Sequence, residues 1–103
     1  MYNLEYLPIA RKDILDITKY IAEKLQNPPT AQRLAVGLIK KCEQLRDMPY
    51  VNPIFPQIRP LNHEYRKVSF KNYLMFYWVD EQKKIITIAS VIYCKRNYEE
   101  LLF

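Results

Sequence analysis

Glycine is almost absent: of 103 residues only Gly37 is one. A glycine-rich loop that cradles phosphate by close backbone approach is therefore excluded. Histidine also occurs once, as His63, and the two cysteines, Cys42 and Cys94, form no CxxC pair. That donor set argues against a metal centre, so no metal ligand and no cofactor are expected. No stretch approaches the apolar length that crosses a bilayer, and Met-Tyr-Asn-Leu-Glu-Tyr at the start has no basic segment followed by an apolar run. The expectation is a cytoplasmic protein with reduced thiols and no membrane partner. A polybasic tail is missing too.

Tyrosine is in excess, with nine residues. Its apolar body and polar tip suit half-buried sheets and binding surfaces. The formal net charge is +5, spread along the chain: residues 1–51 carry eight bases against six acids, and residues 52–103 carry eight against five. Such a surplus either decorates a solvated mixed surface or attracts a polyanion or an acidic protein partner. With 50% hydrophobic and 26% charged residues, the chain has the composition of an ordinary globular protein, and its length predicts a single domain over residues 1–103.

Residues 2–7 alternate, with Tyr2, Leu4 and Tyr6 on one face, and read as a short strand. Pro8 ends it and opens a helix over about Ile9 to Leu25, with Ile14, Ile17, Ile21 and Leu25 as its stripe and Ala10 and Tyr20 on the flank. Asn27-Pro28-Pro29-Thr30 breaks the chain, and Asn27 or Thr30 can cap a second helix. Ala31, Leu34, Ala35, Leu38, Ile39, Cys42 and Leu45 give that helix its apolar face. The two helices should form an antiparallel hairpin. Residues 49–60, with Pro49, Pro53, Pro56 and Pro60, read as an irregular connector and not a sheet strand, held to the body by Ile54, Phe55 and Ile58. Three strands follow: Tyr65–Phe70, Tyr73–Val79 and Lys84–Tyr93, with Asn72 at one turn and Asp80–Lys83 at the other. The order is β-α-α-β-β-β, an α+β domain.

Neither face of the later strands is clearly polar. Strict alternation puts Leu74, Phe76 and Trp78 on one face and Tyr73, Met75, Tyr77 and Val79 on the other. It likewise separates Ile85, Ala89, Val91 and Tyr93 from Ile86, Ile88 and Ile92. Two helices cover only one face, so the other should be a Tyr-rich apolar concavity, covered in part by the connector and suited to a partner. Arg66 shares a face with Val68 and Phe70, so either that face is the concave one or strand twist frees Arg66 at the strand end.

Several phrases, in this order and spacing, resemble the RelE/ParE toxin superfamily over nearly the whole chain. They are Ala10-Arg11-Lys12-Asp13-Ile14, Asn27-Pro28, Leu45-Arg46-Asp47-Met48-Pro49, Tyr65-Arg66-Lys67-Val68, Asn72-Tyr73-Leu74 and Val91-Ile92-Tyr93 with Arg96-Asn97-Tyr98. The resemblance implies a helical hairpin packed on an antiparallel-dominated four-stranded sheet. It also implies the toxin of a type II toxin–antitoxin module, neutralised by a cognate acidic antitoxin of the ParD or RelB kind. ParE-like members poison DNA gyrase, and RelE-like members cut mRNA on the translating ribosome.

RNA cleavage would need a group to deprotonate the 2′-hydroxyl, cations for the phosphoryl oxygens and a proton for the leaving oxygen. Arg66 and Arg96 are the candidate phosphate clamps. Lys67, Lys71 or Lys95 could assist, and Tyr93 or Tyr98 could move a proton. The catalytic set, if the chain is a ribonuclease, is Arg66, Arg96 and Tyr98. The tail after Arg96 has no histidine, and His63 reads as a surface loop residue. Cys94-Lys95-Arg96-Asn97-Tyr98 is closer to the Gly-Arg-Arg-Asp type of phrase of ParE-like toxins, with Cys94 for the glycine and Asn97 for the aspartate. The reading is a ParE-like gyrase poison, not an enzyme, with Arg66, Lys67, Tyr93, Lys95 and Arg96 as target-binding residues. The alternatives are a RelE-like endoribonuclease and a non-toxic binding member.

Overall fold

Two prolines and an asparagine decide where the helices start. In the computed structural model, which describes residues 1–56 and 63–94, β1 (Asn3–Tyr6) runs into α1 (Pro8–Lys19) with Pro8 in the first turn. Proline fits there because its missing N–H would have no helical partner. The α1 helix ends in a wide turn over Tyr20–Lys24, where the Leu25 N–H reaches back to the Tyr20 carbonyl at 3.3 Å. Gln26 then closes it in the left-handed region, at φ 52°. The expected stripe holds through Ile21 but not to Leu25, which is 58% exposed. A five-residue loop of backbone carries an extra residue, which rotates Leu25 out of line. Ala10, expected on the flank, is fully buried.

Asn27 is the cap of α2 (Pro28–Gln44): its Oδ1 accepts the Thr30 N–H at 3.3 Å. Pro28 and Pro29 thus begin the helix and do not merely interrupt the chain. Ala31, Leu34, Leu38, Cys42 and Leu45 are buried as the spacing predicts, while Ile39 is 45% exposed at the margin of the stripe. Cys42 points its thiol at Met75 Sδ, 3.3 Å away, and burial pushes that thiol up to about 11. Both cysteines are free thiols. Gly37 lies against β2: a Cβ there would come within 2.3 Å of the Phe70 ring. Its helical cost, about 1 kcal/mol against alanine, accompanies this close approach.

The sheet comprises β1, β2 (Arg66–Phe70), β3 (Tyr73–Asp80) and β4 (Ile85–Tyr93), in the order β1-β4-β3-β2. The β1 strand is parallel to β4, and the other pairs are antiparallel. This is the α+β arrangement expected, with α1 packed on β4 and α2 against α1 and β2. Phe70 and Tyr73 are joined by a two-residue turn with Lys71 in the left-handed region. The Lys83 N–H donates to Asp80 Oδ1 at 3.0 Å in the β3–β4 turn.

Strict alternation fails in β4. Phe76 pairs with Ser90 but Tyr77 pairs with Ile88, so Ala89 is an extra residue. This bulge reverses the alternation, as a one-residue slip must. Ile86, Ile88 and Val91 therefore all enter the helix-side core, with Tyr73, Met75, Tyr77 and Val79. The tyrosines expected on a concave outer face lie on the helix side. The face away from the helices carries Leu74, Phe76, Trp78 and Ile92. Beyond Ile88, where β1 stops pairing with β4, Asp13 Oδ2 of α1 accepts the Val91 N–H at 2.9 Å. Burial raises the Asp13 carboxyl, and the Val91 amide opposes that rise.

The connector departs from its reading as well. Ile54 bridges Arg66, the Phe55 N–H donates to the Tyr65 carbonyl at 2.8 Å, and the Lys67 N–H donates to the Pro53 carbonyl at 3.4 Å. It therefore runs along the edge of β2, with prolines at Pro53 and Pro56 where no donor is used. Phe55 is buried edge-on to Phe76, at 5.1 Å between ring centroids, but Ile54 is exposed. Ile58 lies outside the described residues.

Replacing Asp13 tests the junction. Asp13→Ala should lose about 1–3 kcal/mol in urea denaturation, because the Val91 N–H is left without its acceptor. Asp13→Asn keeps an acceptor oxygen and should recover most of the loss. Equal losses in the two variants would contradict this role.

Candidate functional site

The fold brings Tyr2, Tyr50, Lys84 and Arg66 together at the end formed by the start of β1, the start of β2 and the β3–β4 turn. Glu81 is the hub. Its carboxylate accepts the Tyr2 hydroxyl at 2.5 and 2.9 Å, the Tyr50 hydroxyl at 2.8 Å and Lys84 Nζ at 2.6 Å. The Lys84, Tyr2 and Tyr50 donors hold the carboxyl down at about 2. The Lys84 ammonium also lies 5.0 Å from the centre of the Tyr2 ring. Tyr2 and Tyr50 meet edge to face at 6.4 Å.

Arg66 joins this cluster from the start of β2. Its guanidinium stacks 5.0 Å from the Tyr50 ring centre, and one N–H donates to the Asn52 carbonyl at 2.7 Å. Asn52 in turn donates to the buried Tyr77 hydroxyl at 3.3 Å, and Tyr77 donates to the Pro49 carbonyl at 2.8 Å. Arg66 is half-buried on the helix side, at the strand end, and its contacts are a carbonyl and a ring. A cation over a tyrosine face stabilises by about 0.5–2 kcal/mol.

Among the described residues, Lys67 and Tyr93, also expected at the site, do not converge on it. Lys67 points to the opposite face, with its ammonium 5.6 Å from the Phe55 ring centre. Tyr93 ends β4 beside Tyr73, at 5.5 Å between rings. Its register level is that of Phe70, whereas Arg66 is level with Tyr77. Four residues along the sheet and two strands across separate Arg66 from Tyr93 by roughly 15 Å. Lys95, Arg96 and Tyr98 lie outside the described residues. His63 is exposed, as a loop histidine should be, yet its ring stacks on Trp78 at 3.7 Å and 1°, with Tyr65 edge-on to the same indole at 5.7 Å.

Tyr2, Tyr50, Glu81 and Lys84 escaped the reading of the sequence as a site. The available signals were the tyrosine excess and the Glu81–Lys84 spacing in a turn. Tyr50 had no such signal, since its partners come from distant parts of the chain. Chemically the cluster is a clasp, not a proton relay. Desolvation and the bond to Glu81 push the Tyr50 hydroxyl up to about 12, and burial raises Tyr77. A general base works best near the ambient pH, and both shifts run the other way.

Residues 4–98 match the family model for the ParE toxin of type II toxin–antitoxin systems, parDE. The chain belongs to the ParE toxin family. It is therefore a toxin of a type II toxin–antitoxin system, within the wider RelE/ParE superfamily. No curated protein matches it. Among solved structures, this ParE-family chain is similar to the chromosomal ParDE toxin–antitoxin system of P. aeruginosa, with a TM-score of 0.71 at 17% identity, over 88% of this chain and 94% of that one. It is also similar to the RelBE2 complex of Mycobacterium tuberculosis, at 0.60 and 16% over 89% and 96%. The isolated RelE toxin of E. coli gives 0.61 and 18% over 99% and 96%. At these identities the structural likeness establishes the fold of the ParE-family domain and not its target.

The clasp predicts an acid-labile component of stability. Glu81 is held from its ordinary 4.5 down to about 2, so its contribution is complete above about 4.5 and is lost as pH falls towards about 2. Glu81→Gln should lower the urea midpoint at about pH 6 and leave it unchanged at about pH 2. A deficit that is the same at both pH values would contradict the role of the carboxylate.

Proposed function

We propose that this ParE-family toxin stops growth by poisoning DNA gyrase in the cytoplasm, as a single toxin domain over residues 1–103 held in check by a cognate acidic antitoxin. The observation that carries the reading is the character of the sheet face away from the helices. Strand β3 places Leu74, Phe76 and Trp78 there, β4 adds Thr87, Ser90 and Ile92, and β2 sets Lys67 opposite Phe76. Leu74, Trp78 and Ile92 are half-buried and form the accessible part of this face, while Phe76 and Thr87 are buried. Such a surface suits a protein partner, whose apolar contacts it can match. Phosphoryl transfer needs cations converging on one phosphate. Among the described residues, Arg66 is engaged by Asn52 and Tyr50 on the other side of the sheet, and Lys67 lies over Phe55.

The antitoxin part of the proposal rests on the +5 charge and on the company the fold keeps. The P. aeruginosa relative is described as a ParDE system and the M. tuberculosis one as a toxin–antitoxin complex. A partner that binds only the folded toxin would stabilise it by mass action as well as silence it.

The purified chain is expected to block gyrase supercoiling at near-stoichiometric ratio and to trap cleaved DNA. No effect at stoichiometric excess overturns the proposal. So does codon-located cleavage of message on translating ribosomes that is lost in Arg66→Ala.

A further inference from the structure

The connector between α2 and β2 turns its polar groups inward and its apolar side chains outward. From Met48 to Ile54 it carries no charged residue. Met48 is 57% exposed, Tyr50 47%, Val51 66% and Ile54 46%. We infer that this strip is an anchor that seats in an uncharged apolar pocket of the toxin's protein target, an inference that rests on the gyrase reading above.

Three observations support it. First, the strip is tied down. The Tyr77 hydroxyl donates to the Pro49 carbonyl at 2.8 Å, Arg66 to the Asn52 carbonyl at 2.7 Å, and the Lys67 N–H to the Pro53 carbonyl at 3.4 Å. Tyr50 is held by its bond to Glu81 at 2.8 Å, and Pro49 and Pro53 fix two φ angles. Connecting loops are ordinarily among the more mobile parts of a protein. A loop that is already ordered loses little entropy when a partner closes on it.

Second, the four apolar side chains together expose about 400 Å2, the size at which a patch is a functional surface and not scatter. Each partner of a stable complex buries about 800 Å2, so the strip is the centre of a contact and not the whole of it. The remainder lies around the edge of β2. Ile54 bridges Arg66 on the helix side, while the next residue, Phe55, packs on Phe76 of the opposite face at 5.1 Å. A target seated on that face reaches the strip across the sheet edge.

Third, the charges argue against the other occupants. An acidic antitoxin or a nucleic acid would need free cations. Lys84 and Arg66 border the strip, but Lys84 is paired with Glu81 and Arg66 is engaged by Asn52 and Tyr50. Two copies of a chain with a net charge of +5 repel one another, and an uncharged strip does nothing to offset that.

The test is inhibition of purified DNA gyrase by the full-length toxin. Val51→Asp/Ile54→Asp should raise the concentration for half-inhibition by roughly tenfold or more. Met48→Ser/Val51→Ser, which adds no charge, should raise it by roughly threefold or more. These side chains are exposed, so circular dichroism and melting temperature should stay those of the wild type. The matched control is Leu15→Asp/Val36→Asp, at positions on α1 and α2 that are 67% and 45% exposed, and it should change inhibition by less than roughly twofold. Unchanged inhibition in the strip variants overturns the inference and leaves the gyrase reading intact. Equal losses in the two aspartate variants also overturn it, since added charge alone would then explain them. If the strip variants keep inhibition but lose the protein encoded beside the gene, the strip belongs to the antitoxin and the inference falls. A wild-type dimer that becomes a monomer in the strip variants on sedimentation assigns the strip to a second copy, with the same consequence. A wild type that does not inhibit gyrase at all contradicts the gyrase reading itself, and the inference falls with it.

Discussion

The extra residue at Ala89 determines which side chains the helices meet. Without it, Val91 would share a face with Ile85 and oppose Ile86 and Ile88. With it, all three of Ile86, Ile88 and Val91 enter one core with Met75 and Tyr77. Beyond Ile88, where β1 stops pairing with β4, the Val91 N–H donates to Asp13 Oδ2 in the middle of α1. A buried amide left without an acceptor would be destabilising by about 1–3 kcal/mol, so this contact joins the helical hairpin to the sheet at a fixed point. The remaining packing is built around it: α1 over β4, α2 beside α1, and Gly37 of α2 closing on Phe70.

The bulge also separates the two sides of the sheet chemically. Tyr2, Tyr50, Tyr77 and Arg66 lie on the helix side, where Glu81, Asn52 and the Pro49 carbonyl satisfy their polar ends. The other side keeps Leu74, Phe76, Trp78 and Ile92, with Phe55 from the connector on Phe76 and His63 on Trp78. Polar groups that have lost water need partners, and Tyr2, Tyr50 and Tyr77 find them within the clasp. On the opposite side the residues of β3 are apolar and aromatic, with Lys67 of β2 beside Phe76.

The elements were legible in the sequence because period 2 and period 3.6 are strong signals. Pro8, Asn27 and the strand limits stand within a residue or two of where the pattern put them. The face assignments of β4 were not legible, since a bulge leaves no mark on an unbroken run of Ile-Ile-Thr-Ile-Ala-Ser-Val-Ile. Leu25 was misplaced for a related reason: a wide helical turn adds a residue without changing the composition. Of the expected site, the alternation of β2 marks Arg66 as an arginine that needs an explanation. Its partners were not readable, because Tyr50 and Asn52 reach it from a connector that proline content marked as irregular. The clasp joins Tyr2 to Glu81, and such distant pairings follow from topology and not from local pattern.

A toxin that acts through a protein-binding surface and one that acts through cleavage leave different marks in the same cell. The most direct measurement is therefore to induce this chain without its antitoxin and read plasmid topology and mRNA 5′ ends from the same culture. The account predicts relaxed or broken plasmid with message ends unchanged from the uninduced culture. New codon-located message ends with normally supercoiled plasmid would contradict it.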